Sequence, residues 1–365
     1  MMTRQQFIRT GLTLAATPLA ACTAADSVDS YEAAVQKIWR PAVKPITGNL
    51  GLQRELVRYA SLAPSGHNTQ CWKFRIEQDT ISVLPDFSRR TPVVDPDDHH
   101  LFVSLGCALE NLAQASLAHG LKSLAQFDAA NNALTVRLEQ THALASPLYE
   151  AIPKRQCTRG VYDGLPLSLP ELKALELAGS GNGVRAMLFT ARPDIEKILE
   201  LVIEGNTAQI NDAAFVKELK QWIRFSGSEA VDTGDGLYAL SSGSPSVPRW
   251  LGSPMFDIMF RATSENDKYA QQTRSSAGIA VFVSDVDDKT HWIEAGRCYE
   301  RFALQATALG IRNAMLNQAV EVALQRQKLA GFPGLKGDRP DLVVRFGRGA
   351  TMPQSLRRDL RSVLV

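Results

Sequence analysis

Two stretches, Leu105-Gly-Cys-Ala-Leu-Glu-Asn-Leu-Ala-Gln-Ala-Ser-Leu-Ala-His-Gly-Leu121 and Ala295-Gly-Arg-Cys-Tyr-Glu-Arg-Phe-Ala-Leu-Gln-Ala-Thr-Ala-Leu-Gly-Ile311, lie on one another without a gap. Gly106, Glu110, Ala113, Ala118 and Gly120 then meet Gly296, Glu300, Ala303, Ala308 and Gly310. In the first stretch the apolar residues recur at helical spacing, and the shared glycine suits a left-handed helix stop. Chance similarity of two alanine-rich helices competes with this reading. The identities and the common stop outweigh it. The chain therefore reads as a duplication in which each copy offers a small-residue helix, suited to close approach at an interface between halves. A weaker echo sets Leu62-Ala63-Pro64-Ser65-Gly66 against Leu177-Ala178-Gly179-Ser180-Gly181.

Outward from these helices the local signals are clear. Arg54 to Leu62 reads as a helix that stops before Pro64. Trp72 to Glu77 and Thr80 to Leu84 alternate as a hairpin across Gln78-Asp79. Leu101 to His119 is the helix of the first copy, preceded by Asp95 to Asp98 and closed by Gly120. Leu124 to Phe127 and Leu134 to Leu138 read as strands around Asn131-Asn132, and Leu342 to Phe346 as a buried strand. Residues 222–264 are rich in Gly, Ser and Pro, yet carry Trp222, Tyr238, Trp250 and Phe256, which argues against simple disorder. This insertion reads as a lid over a site or as a peripheral subdomain.

Composition narrows the function. The chain has 365 residues, 45% hydrophobic and 21% charged, with a net charge of +2. That suits two domains or one duplicated one. No basic stretch interleaved with aromatics points to nucleic acid, so the expected partners are small molecules. Arg4 and Arg9 precede a small apolar run from Gly11 to Ala21, too short to span a bilayer and suited to a signal peptide. Leu19-Ala-Ala-Cys22 looks like a lipobox, which would make Cys22 a lipid anchor on a periplasmic or membrane-attached protein. Thr3 to Arg9 resembles a twin-arginine signal with Gln5 in place of the second arginine. A cytoplasmic location follows if this signal does not function. Residues 23–50 read as a tether, 51–150 as the first half and 151–365 as the second. Cys71, Cys107, Cys157 and Cys298 show no C-x-x-C pair and suit buried small hydrophobes.

The strongest local motif is Ala63-Pro-Ser-Gly-His-Asn-Thr-Gln-Cys-Trp72. Pro64, Ser65 and Gly66 make a loop whose amides and hydroxyl can face an anion or a polar ring edge. Asn68 and Gln70 supply paired donors and acceptors. This loop resembles the flavin-contacting S-x-x-x-N-x-Q-x-W segment of the nitroreductase superfamily, and in particular the A-P-S-x-H-N-T-Q-P-W form of its single-chain, duplicated Acg group. Cys71 stands where proline is usual. Arg89-Arg-Thr-Pro-Val-Val-Asp-Pro-Asp-Asp98 is also similar to that group, and the likeness recurs in order from about residue 54 to 360. It implies an α+β fold in which two nitroreductase-like halves, each a mixed sheet flanked by helices, form a pseudo-dimer within a monomer. It also implies a single FMN between them.

By the same resemblance, Pro64, Ser65, Gly66, His67, Asn68 and Gln70 contact the flavin. Lys154-Arg-Gln-Cys-Thr-Arg159 is similar to the R-R-S-x-R motif, so Arg155 and Arg159 would hold the phosphate, with Cys157 in place of serine. Guanidinium groups suit that task because they grip phosphate oxygens in a bidentate, charge-assisted way. Late basic residues Arg357 and Arg358, with Arg348 as a second candidate, would also reach it. The segment from Gly310 to Gln318 would run over the isoalloxazine, with Met315 and Leu316 on the ring face and Asn317 and Gln318 beside it. The first copy carries the Asn68/Gln70/Trp72 loop without comparable arginines, and the second carries the arginines without that loop. One composite site is therefore expected.

Asp95-Pro-Asp-Asp-His-His100 invites a metal reading, but helix capping explains its aspartates more simply, and no distant ligand is evident. No metal and no nucleophilic or acid–base catalytic residue is expected, and neither a G-x-S-x-G elbow nor a Rossmann fingerprint occurs. The resemblance implies an oxidoreductase passing electrons from a reduced donor such as NAD(P)H to a nitroaromatic or quinone-like acceptor. A flavin-sequestering protein whose lid covers the ring stays open, as does a scaffold lipoprotein that has lost its flavin.

Overall fold

The computed structural model describes residues 30–43, 45–335 and 337–365. The signal, twin-arginine and lipobox readings fall outside the described residues. Eight helices of ten or more residues are described: α1 Gly48–Ser61, α2 His99–Ala118, α3 Leu169–Ala178, α4 Arg192–Asn211, α5 Ala213–Trp222, α6 Arg249–Met259, α7 Ala262–Arg274 and α8 Lys289–Ala308. The strands are β1 Trp72–Glu77, β2 Thr80–Pro85, β3 Leu121–Asp128, β4 Ala133–Gln140, β5 Val184–Phe189, β6 Ile223–Arg224, β7 Leu237–Tyr238, β8 Gly278–Ser284, β9 Arg312–Met315 and β10 Arg339–Gly347.

The class is α+β, and the duplication is visible in the topology. One four-stranded sheet runs β1-β2-β4-β3 and the other β5-β8-β10-β9. The orders match element for element: helix α2 leads into β3 and then β4, as α8 leads into β9 and then β10. The weaker echo falls at the same point of both copies, after α1 and α3, where the chain turns into β1 and β5.

All pairings within these two sheets are antiparallel, so the mixed character expected for them is confined to their edges. In the first sheet, the short connections from β1 to β2 and from β3 to β4 force those neighbouring strands to reverse. Single parallel bridges join Phe74 to Leu364 and Cys157 to Asn313. The last residue donates its N–H to the Phe74 carbonyl at 2.9 Å, and Thr158 donates to Asn313 at 2.8 Å. The end of the second copy thus closes the first sheet, and the segment leaving the first copy closes the second.

Helices α2 and α8 form the interface between the copies. Gly106 faces the Ile293 carbonyl and Gly296 faces the Val103 carbonyl, each so closely that an added Cβ would lie 1.9 Å from the oxygen. The aligned glycines therefore sit at one crossing, related by the internal pseudo-symmetry. Leu105, Ala108, Leu112, Phe302, Ala303 and Ala306 are buried around it. The aligned acids diverge: Glu110 pairs with Arg297 at 3.2 Å and Arg301 at 3.0 Å, while Glu300 lies 3.1 Å from Arg155.

Two expectations change. The segment read as a tether contains a helix over 30–38 that docks on the C-terminal arm, because Tyr31 and, just past the helix end, Trp39 bury. Trp39 donates to the Ser355 carbonyl at 2.9 Å and stacks 4.9 Å from the Arg357 guanidinium. The insertion is also longer than its Gly/Pro-rich middle. It fills everything between β5 and β8, where the first copy has only the hairpin turn, and includes α4, α5, α6 and α7.

Candidate functional site

A cavity of about 540 Å³ lies between the copies. The first copy contributes the Pro64–His67 loop and the start of α2. The second contributes Cys157, Arg159, Met315, Asn317 and Gln318, and the insertion supplies an apolar wall that includes Phe225, Met255 and Phe256. Both copies therefore line one cavity, but of the residues that divide the motifs, Asn68, Gln70 and Trp72 against Arg155 and Arg159, only Arg159 is on its wall.

The loop that carries the motif is conformationally costly. His67, Asn68 and Gln70 have φ of 48°, 53° and 53°, a left-handed region that side chains with a Cβ seldom adopt. Such residues persist where the surroundings over-determine them. Here the Asn68 amide donates to the carbonyls of Gly236 at 3.0 Å and Leu356 at 3.1 Å, and accepts from Arg357 at 3.0 Å. Gln70 donates to the Gly234 carbonyl and accepts from the Arg358 N–H, both at 2.8 Å. Ser65 Oγ accepts from the Gln70 N–H at 2.9 Å. Asn68 and Gln70 thus tie the loop to the insertion and the C-terminal arm, and their side chains are spent there. Ser65 and His67 face the cavity instead.

The basic residues separate in the same way. Arg155 is buried, donating to the Leu62 carbonyl at 2.9 Å beside Glu300. Burial pushes the Glu300 carboxyl up to about 7 although Arg155 opposes it. Arg357 holds the carbonyls of Ser61, Leu62 and Ala63, where α1 ends; burial, then Arg155, brings it down to about 9. Arg348 pairs with Glu171 at 2.5 Å, and Arg358 lies 3.9 Å from Asp86. Leu316 is fully buried in the core, with its N–H on the Val343 carbonyl at 2.7 Å. None of these five residues lines the cavity.

Arg159 does line it, and among the described residues its guanidinium has no carboxylate partner. Its backbone is held from below. Arg345, buried on β10, donates to the carbonyls of Thr158 at 3.2 Å and Gly160 at 2.8 Å, and Gln272 donates to the Arg159 carbonyl at 2.5 Å. His67 Nδ1 and Gln318 Oε1 are buried without a hydrogen bond of good geometry. Buried polar atoms of this kind are uncommon and point to a missing partner. Burial, reinforced by Arg159 and His100, depresses His67 to about 4, so its ring is neutral at pH 7. Burial raises the hydroxyl of Tyr269, also on the cavity wall, to about 12.

Tyr269, Gln209 and Glu321 on the cavity wall were not anticipated, since nothing in their local sequence marks them. The Asp95 capping expectation is met in detail: its carboxylate accepts from the N–H groups of His100 and Leu101, both at 3.0 Å. Asp98, at the N-cap position, has φ of 62° and makes no capping bond. The four described cysteines are free thiols, with Cys71, Cys107 and Cys298 buried and Cys157 at the cavity.

No protein-family model matches the chain. Two proteins of Mycobacterium tuberculosis, from different strains and each named "Putative NAD(P)H nitroreductase", are 23% identical to it over 324 residues. That alignment covers 85% of this chain and 90% of each relative. Among solved structures, a nitroreductase with bound FMN from Bacteroides fragilis aligns at 13% identity with a TM-score of 0.34, covering 56% of this chain and 89% of its own. An FMN-bound nitroreductase from Desulfitobacterium hafniense aligns at 16% identity with a TM-score of 0.36, covering 60% and 98%. Over most of its length, the chain is similar to proteins named as nitroreductases.

Proposed function

We propose that the chain is an FMN-dependent oxidoreductase of the nitroreductase type, taking electrons from a donor such as NAD(P)H and passing them to a nitroaromatic or quinone-like acceptor. One observation carries this reading: a cavity shared by both copies, with the Arg159 guanidinium on its wall and no carboxylate partner for it among the described residues. The residues present fit a flavin nucleotide. The volume of about 540 Å³ falls within the roughly 300–1,000 Å³ typical of small-molecule sites. Arg159 suits phosphate oxygens, the unsatisfied His67 Nδ1 and Gln318 Oε1 suit a heteroatom-bearing ring edge, and Met315 and Phe256 offer apolar faces.

Bound FMN would supply a ring able to accept hydride and release electrons. The chain supplies the rest. Arg159 holds the anionic end of the ligand, with its backbone fixed by Arg345 and Gln272. Neutral His67 offers a hydrogen bond without adding charge. The insertion lays an apolar wall along the cavity, and water displaced from that wall by a bound ligand would strengthen the polar contacts inside it. No side chain need act as a nucleophile.

The amino-terminal reading completes the proposal as an exported, monomeric protein anchored through a lipidated Cys22. A second reading, flavin sequestration, is favoured by the apolar wall that the insertion places against the cavity. FMN titration of the native chain and Arg159→Ala tests the site. Dissociation constants should differ by roughly 10- to 150-fold, the worth of about 1.5–3 kcal/mol for a hydrogen bond to a charged group. Bleaching of the bound flavin by NADPH supports the reductase, and bleaching only by dithionite supports sequestration.

A further inference from the structure

We propose that Asp95, His99 and His100 form a site for a divalent transition-metal ion of the zinc type, at the wall of the same cavity. One ligand atom from each of the three residues lies within 4.8 Å of the other two. His99 Nδ1 and His100 Nδ1 face each other at 3.2 Å, and Asp95 Oδ1 lies 3.9 Å from His100 Nδ1. Tetrahedral ligands at about 2.0–2.1 Å from zinc stand roughly 3.3 Å apart, so the two imidazoles already have the required spacing. Asp95 is anchored by the two helix amides it accepts, and each of its oxygens keeps a second lone pair.

An independent observation comes from β10. Asp341, 242 positions along the chain from His99 and fully buried, places Oδ1 2.9 Å from His99 Nε2. A carboxylate behind the distal nitrogen is the usual support of a metal-binding histidine, because it fixes the tautomer and turns the other nitrogen into a lone pair. Here that lone pair points at His100. This is the distant partner that the local Asp/His run lacks on its own.

The same atoms can close a metal-free network. His100 Nδ1–H would donate to His99 Nδ1, and Asn317 Nδ2 would donate to His100 Nε2 at 3.2 Å, with Asn317 oriented by the Val343 N–H at 3.1 Å. A bound ion instead moves the His100 proton to Nε2, 3.9 Å from Glu321 Oε1, and displaces the Asn317 bond. Two nitrogens and one carboxylate suit zinc, nickel or copper over calcium or magnesium. Three protein ligands leave a position open. Asp95 and His100 line the cavity, so water or an oxygen of the cavity's occupant can complete the set. The inference does not depend on the flavin reading.

The test is calorimetric titration of the full, chelator-stripped chain with Zn²⁺, with and without FMN, alongside cobalt substitution read by visible absorption. The expected result is one equivalent per chain, tetrahedral cobalt bands, loss of both in His100→Gln, and affinity weakened on the order of 10–100-fold in Asp341→Asn. His291→Gln, at the surface beside Asp288, should bind as the native chain does. Absence of saturable uptake by the native chain overturns the proposal. So does uptake that His100→Gln leaves intact. If His100→Gln does not fold, unchanged affinity in Asp341→Asn overturns it equally.

Discussion

Replacing Gly106 by alanine places a methyl group 1.9 Å from the Ile293 carbonyl oxygen, where a carbon–oxygen contact needs roughly 3.3 Å. The helices must part by roughly 1.4 Å at their crossing, since the obstacle is backbone that cannot rotate away. Ordinary overpacking against movable side chains costs about 1–3 kcal/mol. A gap of this size along the α2–α8 contact also forfeits much of the dispersion between its buried faces. Alanine returns about 1 kcal/mol of helix propensity, leaving a net loss of roughly 3–5 kcal/mol from a total stability of about 5–15 kcal/mol. Gly296→Ala meets Val103 in the same way and should cost as much. Because one separation relieves both clashes, the double variant should lose clearly less than the sum. Gly310→Ala is the control: its φ of 70° strains a side chain, but no atom lies within 4 Å, so about 1–2 kcal/mol is expected. Urea unfolding followed by circular dichroism reads all four. A Gly106→Ala loss below about 1 kcal/mol, or strict additivity in the double variant, would refute the account of the interface.

Arg155→Met should destabilise the fold by about 1–3 kcal/mol, by leaving the buried Glu300 and the Leu62 carbonyl without their partner, and Arg155→Met/Glu300→Gln should recover part of it. A double variant no more stable than the single one in urea would contradict that pairing. His67 is held at about 4 when folded, against 6.5 when unfolded. Between those values the unfolded chain binds a proton that the folded chain refuses, so stability falls as pH falls from 6.5 to 4. His67→Asn, tolerant of the left-handed backbone, should flatten that part of the stability–pH profile, and an unchanged slope would count against it. Cys22→Ser should abolish incorporation of labelled fatty acid in a bacterial host and release the chain from the membrane fraction. Persistent labelling would sink the lipobox reading.

Much of the fold is local and therefore legible. Gly106 and Gly296 announce the interface because close approach tolerates little else, and the β1–β2 hairpin follows from alternation across two turn residues. The insertion is legible only in part. Its Gly/Pro-rich middle stands out, whereas α4 and α7 have ordinary helical composition and nothing local marks them as additions. The site divides along the same line. Ser65, Gly66, His67 and Arg159 line the cavity. Asn68 and Gln70 turn away because their partners, Gly234, Gly236 and Leu356, arrive from 164 to 288 positions along the chain. Arg155, Arg159 and Arg357 are equivalent as letters. Only packing shows that the first lies beside Glu300, the third holds the end of α1 and the second has no carboxylate partner among the described residues. Asp341 behind His99 is a long-range pairing of the same kind.

The most direct test of the account is equilibrium binding of FMN to the purified chain from Thr23 onward, followed by flavin absorbance after gel filtration. The account predicts one FMN retained per native chain, with retention sharply reduced in Arg159→Ala while Arg348→Ala behaves as the native protein. No retained flavin after reconstitution of a folded native chain would contradict it.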